Sequence, residues 1–181
     1  MLKKDILITS ILFIIILAFH WNIPEKISQE TKNQKLINTY YQEQPLLPTR
    51  TTTYIGVLEL PSIRLKQGFY EKTSSLNQVD KNIELINECN PNSRCDFILA
   101  SHSGNSPISY FKNLDKLKKE DKAILDYKHH LYTYKLTQEI NQKKTGFLSL
   151  EKKNSSRLIL TTCDKQNDAI QKVYIFEKEE T

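Results

Sequence analysis

A mainly β fold, a small barrel or sandwich with one or two short helices, is the class this sequence predicts. Short β-prone apolar runs recur from Tyr54 onward, the first stopped by Pro61: Tyr54–Leu60, Phe97–Ala100, Ala123–Leu125, Leu131–Tyr134, Leu158–Thr162 and Val173–Phe176. Helical spacing is confined to a few stretches. With 181 residues, 39% of them apolar, the chain suits one core and an appendage.

The elements follow in order. Lys3 and Lys4 precede an apolar run from Ile6 to Phe19 that becomes long enough to cross a bilayer when counted on to Ile23, with Trp21 at the interface. No small-residue cleavage pattern follows it, so residues 1–23 are expected to be an uncleaved single-pass anchor with a cytoplasmic N-terminus. Residues 24–50 are polar and interrupted by Pro24, Pro45 and Pro48, a stalk in which Ile27–Tyr41 has helical character. Residues 51–181 form the extracellular domain. There, Tyr54–Leu60 is a strand stopped by Pro61, and Ile63–Leu65 is its hairpin-like return. Ile83–Cys89 has helical spacing. Ile108–Leu117 is expected to be a helix with Tyr110, Phe111, Leu114 and Leu117 inward. A hairpin carries Ala123–Leu125 and Leu131–Tyr134, with His129 and His130 at its solvated tip, and two more strands finish the chain.

The net charge of +5 comes from lysines scattered along the length. No arginine block or aromatic–basic interleaving supports nucleic-acid binding. The chemistry is concentrated elsewhere. Leu158–Thr162 ends in Cys163, and 61 positions upstream Phe97–Ser101 ends in His102. Each reactive group stands at a strand exit, where functional side chains collect. A thiol beside an imidazole makes a nucleophile with a proton-transfer partner.

Three segments carry a family resemblance: Leu58-Glu59-Leu60-Pro61-Ser62-Ile63, Ala100-Ser101-His102-Ser103-Gly104 and Ile159-Leu160-Thr161-Thr162-Cys163. Together they resemble the sortase transpeptidases, whose cysteine follows Thr-Leu-x-Thr; here Leu160, Thr162 and Cys163 match. The resemblance covers Tyr54 to Phe176. It implies a closed eight-stranded β-barrel that cuts a Leu-Pro-x-Thr-Gly-like signal at the C-terminus of secreted proteins. The Cys163 thioester would then pass to an amine on a peptidoglycan precursor or a pilin lysine. No cofactor is implied. His102 would be the general acid and base, while Thr162 and Ser103 would shape the peptide site.

The family's third group is an arginine on the strand after the cysteine, and here the sequence departs, because the last arginine is Arg157. Aligning Val173–Phe176 with that strand puts Lys172 in the arginine's place, beside Gln171. Lysine supplies charge without a planar fork, so either Lys172 acts less specifically or Gln171 and backbone amides share the task. Strand alternation sends Lys172, Tyr174 and Phe176 to one face. Cys89 and Cys95 bracket a turn and are compatible with a disulfide or with two free thiols. Glu120, Asp121, Glu139 and Glu151 have no ligand spacing, and no metal site is expected. Two rival readings remain: a hydrolytic cysteine peptidase, and an inactive sortase-like module that binds peptide or wall. An L,D-transpeptidase would carry Ser/Thr-His-Gly before its cysteine, which Thr161-Thr162 does not match.

Overall fold

Alternation of inward and outward side chains, strand after strand, lets one eight-stranded sheet curl around a main apolar core. The computed structural model describes residues 25–42 and 53–179. The expected anchor lies outside the described residues, and among these no helix is long and apolar enough to cross a membrane. The chain divides into two units, 1–35 and 36–181, the second beginning inside the expected stalk.

Eight strands build the sheet: β1 (Gly56–Leu60), β2 (Leu65–Phe69), β3 (Glu84–Asn87), β4 (Asp96–Ala100), β5 (Lys122–Tyr127), β6 (His130–Lys143), β7 (Arg157–Cys163) and β8 (Ile170–Lys178). Their spatial order is β2-β1-β5-β6-β8-β7-β4-β3. The two edges meet only at an isolated bridge between Phe69 and Ile83, so the expected eight-stranded barrel is nearly, not fully, closed. All strand ladders are antiparallel except β4–β7, which is parallel, as is the isolated Phe69–Ile83 bridge.

Alternation gives each strand an inner face. Phe97 and Leu99 on β4, Leu158 and Leu160 on β7, and Tyr174 and Phe176 on β8 enter the barrel core. Ile98, Ile159, Val173 and Ile175 face outward into a second apolar cluster covered by Leu148 and Leu150 of the β6–β7 connection. Burying a side chain of this size contributes roughly 1.5–3 kcal/mol, so both faces of this region are held by packing.

A helix, α1 (25–42), falls where helical character was expected. Its residues Ile37 and Tyr40 are buried with Tyr54, Val57 and Tyr70. The Tyr40 hydroxyl donates to Asp126 Oδ1 at 2.6 Å and accepts the His129 N–H at 2.7 Å. Burial and the Asp126 carboxylate hold that phenol protonated far above its ordinary range. The His129 ring stacks on Tyr40 at 4.4 Å, so the hairpin tip is only partly a free surface.

Two expected helices are corrected. Residues 84–87 form β3, because Ile83 and Leu85 point inward while Ile86 is exposed, a period of two rather than 3.6. The segment 108–117 forms turns and a 3-10 helix (Leu114–Lys116) instead of a continuous α-helix. Its buried residues Phe111, Leu114 and Leu117 are three apart, the spacing that aligns side chains in a 3-10 winding. Hydrogen bonds from Leu114 N–H to Phe111 O and Leu117 N–H to Leu114 O follow the same step. The expected return at Ile63–Leu65 is a 3-10 turn, Pro61–Ile63, that feeds β2. Cys89 and Cys95 form a disulfide closing the β3–β4 turn, which resolves the alternative left open above.

Candidate active site

The parallel pairing of β4 and β7 runs from Asp96 opposite Arg157 to Ala100 opposite Thr161. Hydrogen bonds carry the same register past both strand ends. Ser101 N–H donates to Thr161 O at 3.3 Å, Thr162 Oγ1 to Ser101 O at 2.7 Å, and Ser103 Oγ to Cys163 O at 2.6 Å. The offset between Asp96 and Arg157 is 61 residues, and the offset between His102 and Cys163 is also 61. The two reactive residues therefore stand alongside each other at the exits of neighbouring strands. Alternation puts them on the outward face, above Ala100 and Thr161.

Cys163 is half-buried and takes no part in the disulfide. His102 is partly exposed, and its Nε2 lies 2.9 Å from Asp80 Oδ1 in the loop before β3. Sequence reasoning missed Asp80; it sits in a polar loop without periodicity, and only the folded chain brings it to the histidine. Thr162 and Ser103 are both buried, with their hydroxyls spent on the backbone of the facing strand exit. They tie β4 and β7 together beneath the reactive pair.

On β8, Gln171 is the partner of Cys163, and Lys172 is the partner of Thr162. Gln171 Nε2 donates to Thr161 Oγ1 at 2.8 Å, on the cysteine's face. Lys172 goes to the opposite face with Tyr174, as alternation predicted, and its ammonium lies 3.5 Å from both Glu139 and Asp164. The Gln166 N–H, with help from Asn167 N–H and Lys172 against some desolvation, holds the Asp164 carboxyl below its usual range. Behind the nucleophile lies a cavity of about 140 Å³, lined by Ser103, Phe111, Thr162, Cys163, Lys172 and Tyr174 among others. An ion pair between Lys165 and Asp115 at 2.8 Å joins two more of its lining residues. Arg157, the last arginine, stands at the far end of β7, 3% exposed and clasping Asp96 with Nε at 2.6 Å and Nη2 at 2.7 Å. Six positions along the strand take it to Cys163, about 20 Å away. Among the described residues no group of three or more His, Cys, Asp or Glu could hold a metal ion.

The comparisons with known proteins agree with this geometry. A Staphylococcus aureus sortase A is 25% identical over 160 residues, spanning 85% of this chain and 76% of its own. The sortase A of Listeria monocytogenes shares the fold with a TM-score of 0.59 at 22% identity, covering 70% of this chain and 88% of its own. A Clostridium perfringens sortase C, solved with the C-terminal cell wall sorting motif, does so at 0.62 and 21% identity, covering 87% and 89%. The sortase-domain family model matches residues 58–180, and with two-thirds of its length inside that match, this chain belongs to the sortase family.

Proposed function

We propose that the protein is a transpeptidase that cuts a Leu-Pro-x-Thr-Gly-like signal through a Cys163 thioester and passes the acyl group to an amine. The register linking His102 to Cys163 carries this reading, because it brings a half-buried thiol and a partly exposed imidazole to neighbouring strand exits, the pair that such chemistry requires. Cys163 as thiolate attacks the threonine carbonyl. As the carbon–nitrogen bond breaks, the His102 imidazolium gives its proton to the departing amine, leaving a thioester and a neutral ring. The acceptor amine then attacks the thioester carbon while His102 takes its proton. The carbon–sulfur bond breaks, and the thiolate is restored. Acceptors of the expected kind are an amine on a peptidoglycan precursor or a pilin lysine.

Of the two candidates for the arginine's task, register favours Gln171. Its amide is a neutral donor on the cysteine's face, whereas the Lys172 ammonium is engaged by two carboxylates behind it. A neutral donor stabilises a developing oxyanion less than a planar cation does. Thr162 and Ser103 support the peptide site from below. The inactive-module reading draws its support from the same absence of arginine.

The disulfide supports an oxidising compartment, in line with a single-pass anchor and an extracellular catalytic domain. Protease treatment of intact cells should digest the domain and spare the N-terminal tip; a fully protected protein would refute that location.

A fluorogenic sorting-signal peptide, with and without an amine acceptor, tests the activity. The expected result is a Cys163-bound acyl intermediate in the mass spectrum and an amine-dependent product. Cleavage indifferent to the amine would make it a peptidase. Silence across a broad peptide panel would make it the binding module.

A further inference from the structure

We infer that Asp80 is a positioning residue that holds the His102 ring through Nε2 and thereby leaves Nδ1 as the nitrogen that moves protons. The inference rests on the transpeptidase reading and names the atom that reading leaves open.

A neutral imidazole carries one N–H, and the partner of one nitrogen decides which nitrogen that is. Here Asp80 Oδ1 lies 2.9 Å from Nε2. A carboxylate only accepts hydrogen bonds, so Nε2 carries the hydrogen and Nδ1 keeps its lone pair. In the neutral ring Nδ1 takes the proton of the acceptor amine. In the charged ring the Nδ1 proton is the free one, available to the leaving amine. Both half-reactions then use one nitrogen, and the ring need not flip between them.

The placement of Asp80 fits this task. It comes from the 71–82 loop rather than from β4 or β7. That loop is pinned on either side: Asn82 Nδ2 donates to Gly68 O at 2.9 Å, and Asn77 Oδ1 accepts the Leu85 N–H at 2.7 Å. Asp80 thus approaches His102 from the β3 side, with Cys163 on the other flank. An aspartate that orients a histidine in a dry site is worth far more than one in water. Asp80 is 81% exposed on its side chain, so a modest factor is expected.

The test uses the full-length protein with Asp80→Ala and Asp80→Asn. With ¹⁵N-labelled histidine at about pH 8.5, above the ordinary histidine range, the wild-type His102 ring should be mainly the Nε2–H tautomer. A His102→Gln spectrum assigns the signal. Asp80→Ala should shift it toward a mixture and lower kcat for acyl-enzyme formation about tenfold, with KM changed less than twofold. Asp80→Asn, whose side-chain oxygen accepts the same N–H, should restore most of both. Unchanged tautomers, or an unchanged kcat, in Asp80→Ala would overturn the inference. If the wild-type protein cleaves no peptide, the transpeptidase reading falls by itself, and the tautomer signal still decides whether Asp80 fixes the ring.

Discussion

The two ends of the β4–β7 ladder are built on opposite principles. At the lower end the Asp96 carboxylate and the buried Arg157 guanidinium face each other through two hydrogen bonds. The surroundings there are tied down as well. The Cys89–Cys95 disulfide closes the adjoining turn, Arg157 N–H donates to Cys95 O, and Glu88 is bonded by Tyr127 and Lys128. At the upper end, on the same face and at the same 61-residue offset, stand a half-buried thiol and a partly exposed imidazole. The lower end fixes the register, and the upper end uses it. A strand slip of one residue would turn Cys163 to the wrong face, which is why a costly buried clasp is tolerable at the far end.

The largest effects are expected at the upper end, where stability should barely change. Cys163→Ala should abolish acyl-enzyme formation while leaving Tm within a few degrees of wild type. His102→Ala should lower kcat/KM by about 10² to 10⁴, the usual share of a general acid. A loss of fold in either variant would break the division between the ends.

The lower end should behave in reverse. Asp96→Ala strands a guanidinium that is 3% exposed and should destabilise the protein by about 3 kcal/mol, read as a lower denaturant midpoint. Replacing both partners together, Asp96→Leu with Arg157→Met, should recover most of that stability, because no charge is then left buried alone. If the double variant is stable yet loses turnover, the clasp specifies register as well as stability.

These two ends were not equally legible in the sequence. Strand exits at Ala100 and Cys163 follow from apolar runs that stop at polar residues, and family resemblance joined them. The helical reading of 83–89 failed because Ile83, Leu85 and Ile86 fit either period; in the β3–β4 ladder Leu85 pairs and is buried, while Ile86 sits at the register shift and is exposed. The expected helix at 108–117 failed because spacings of three suit 3-10 turns as well as helices. Alternation correctly sent Lys172 to the face of Tyr174, but which β8 residue opposes Cys163 depends on the length of the β7–β8 turn, a register that no local pattern states. Asp80 and the Asp96–Arg157 clasp are contacts between distant segments. Their spacing in the chain carries no trace of them.

A smaller effect sharpens what joins the strands beneath the site. Ser103→Ala removes the 2.6 Å bond to Cys163 O and should cost about 1 kcal/mol in stability. Gln171→Arg should raise turnover by supplying the family's cation on the cysteine's face, and Gln171→Ala should lower it. Equal rates for all three forms would remove Gln171 from the mechanism and return Lys172 to candidacy, for which Lys172→Ala is then the decisive variant.

The smallest effect belongs to the lower end and is read by pH. The Tyr127 hydroxyl, with Lys128 adding to it against some desolvation, holds the Glu88 carboxyl below its ordinary value. The unfolded chain therefore takes up this proton first as pH falls. Glu88 stabilises the fold fully above the ordinary glutamate value of about 4.3, and that contribution is lost as pH drops through the lower folded value. Tyr127→Phe removes the main cause of the shift, so its Tm should decline less steeply below about pH 4.3 than that of the wild type. Asp164 and Glu179 are also held low, and they remain in both proteins, so the difference between the two curves isolates Glu88. Parallel curves would mean that the Tyr127–Glu88 contact contributes nothing to holding the lower end, and the disulfide and the Asp96–Arg157 clasp would carry that end alone.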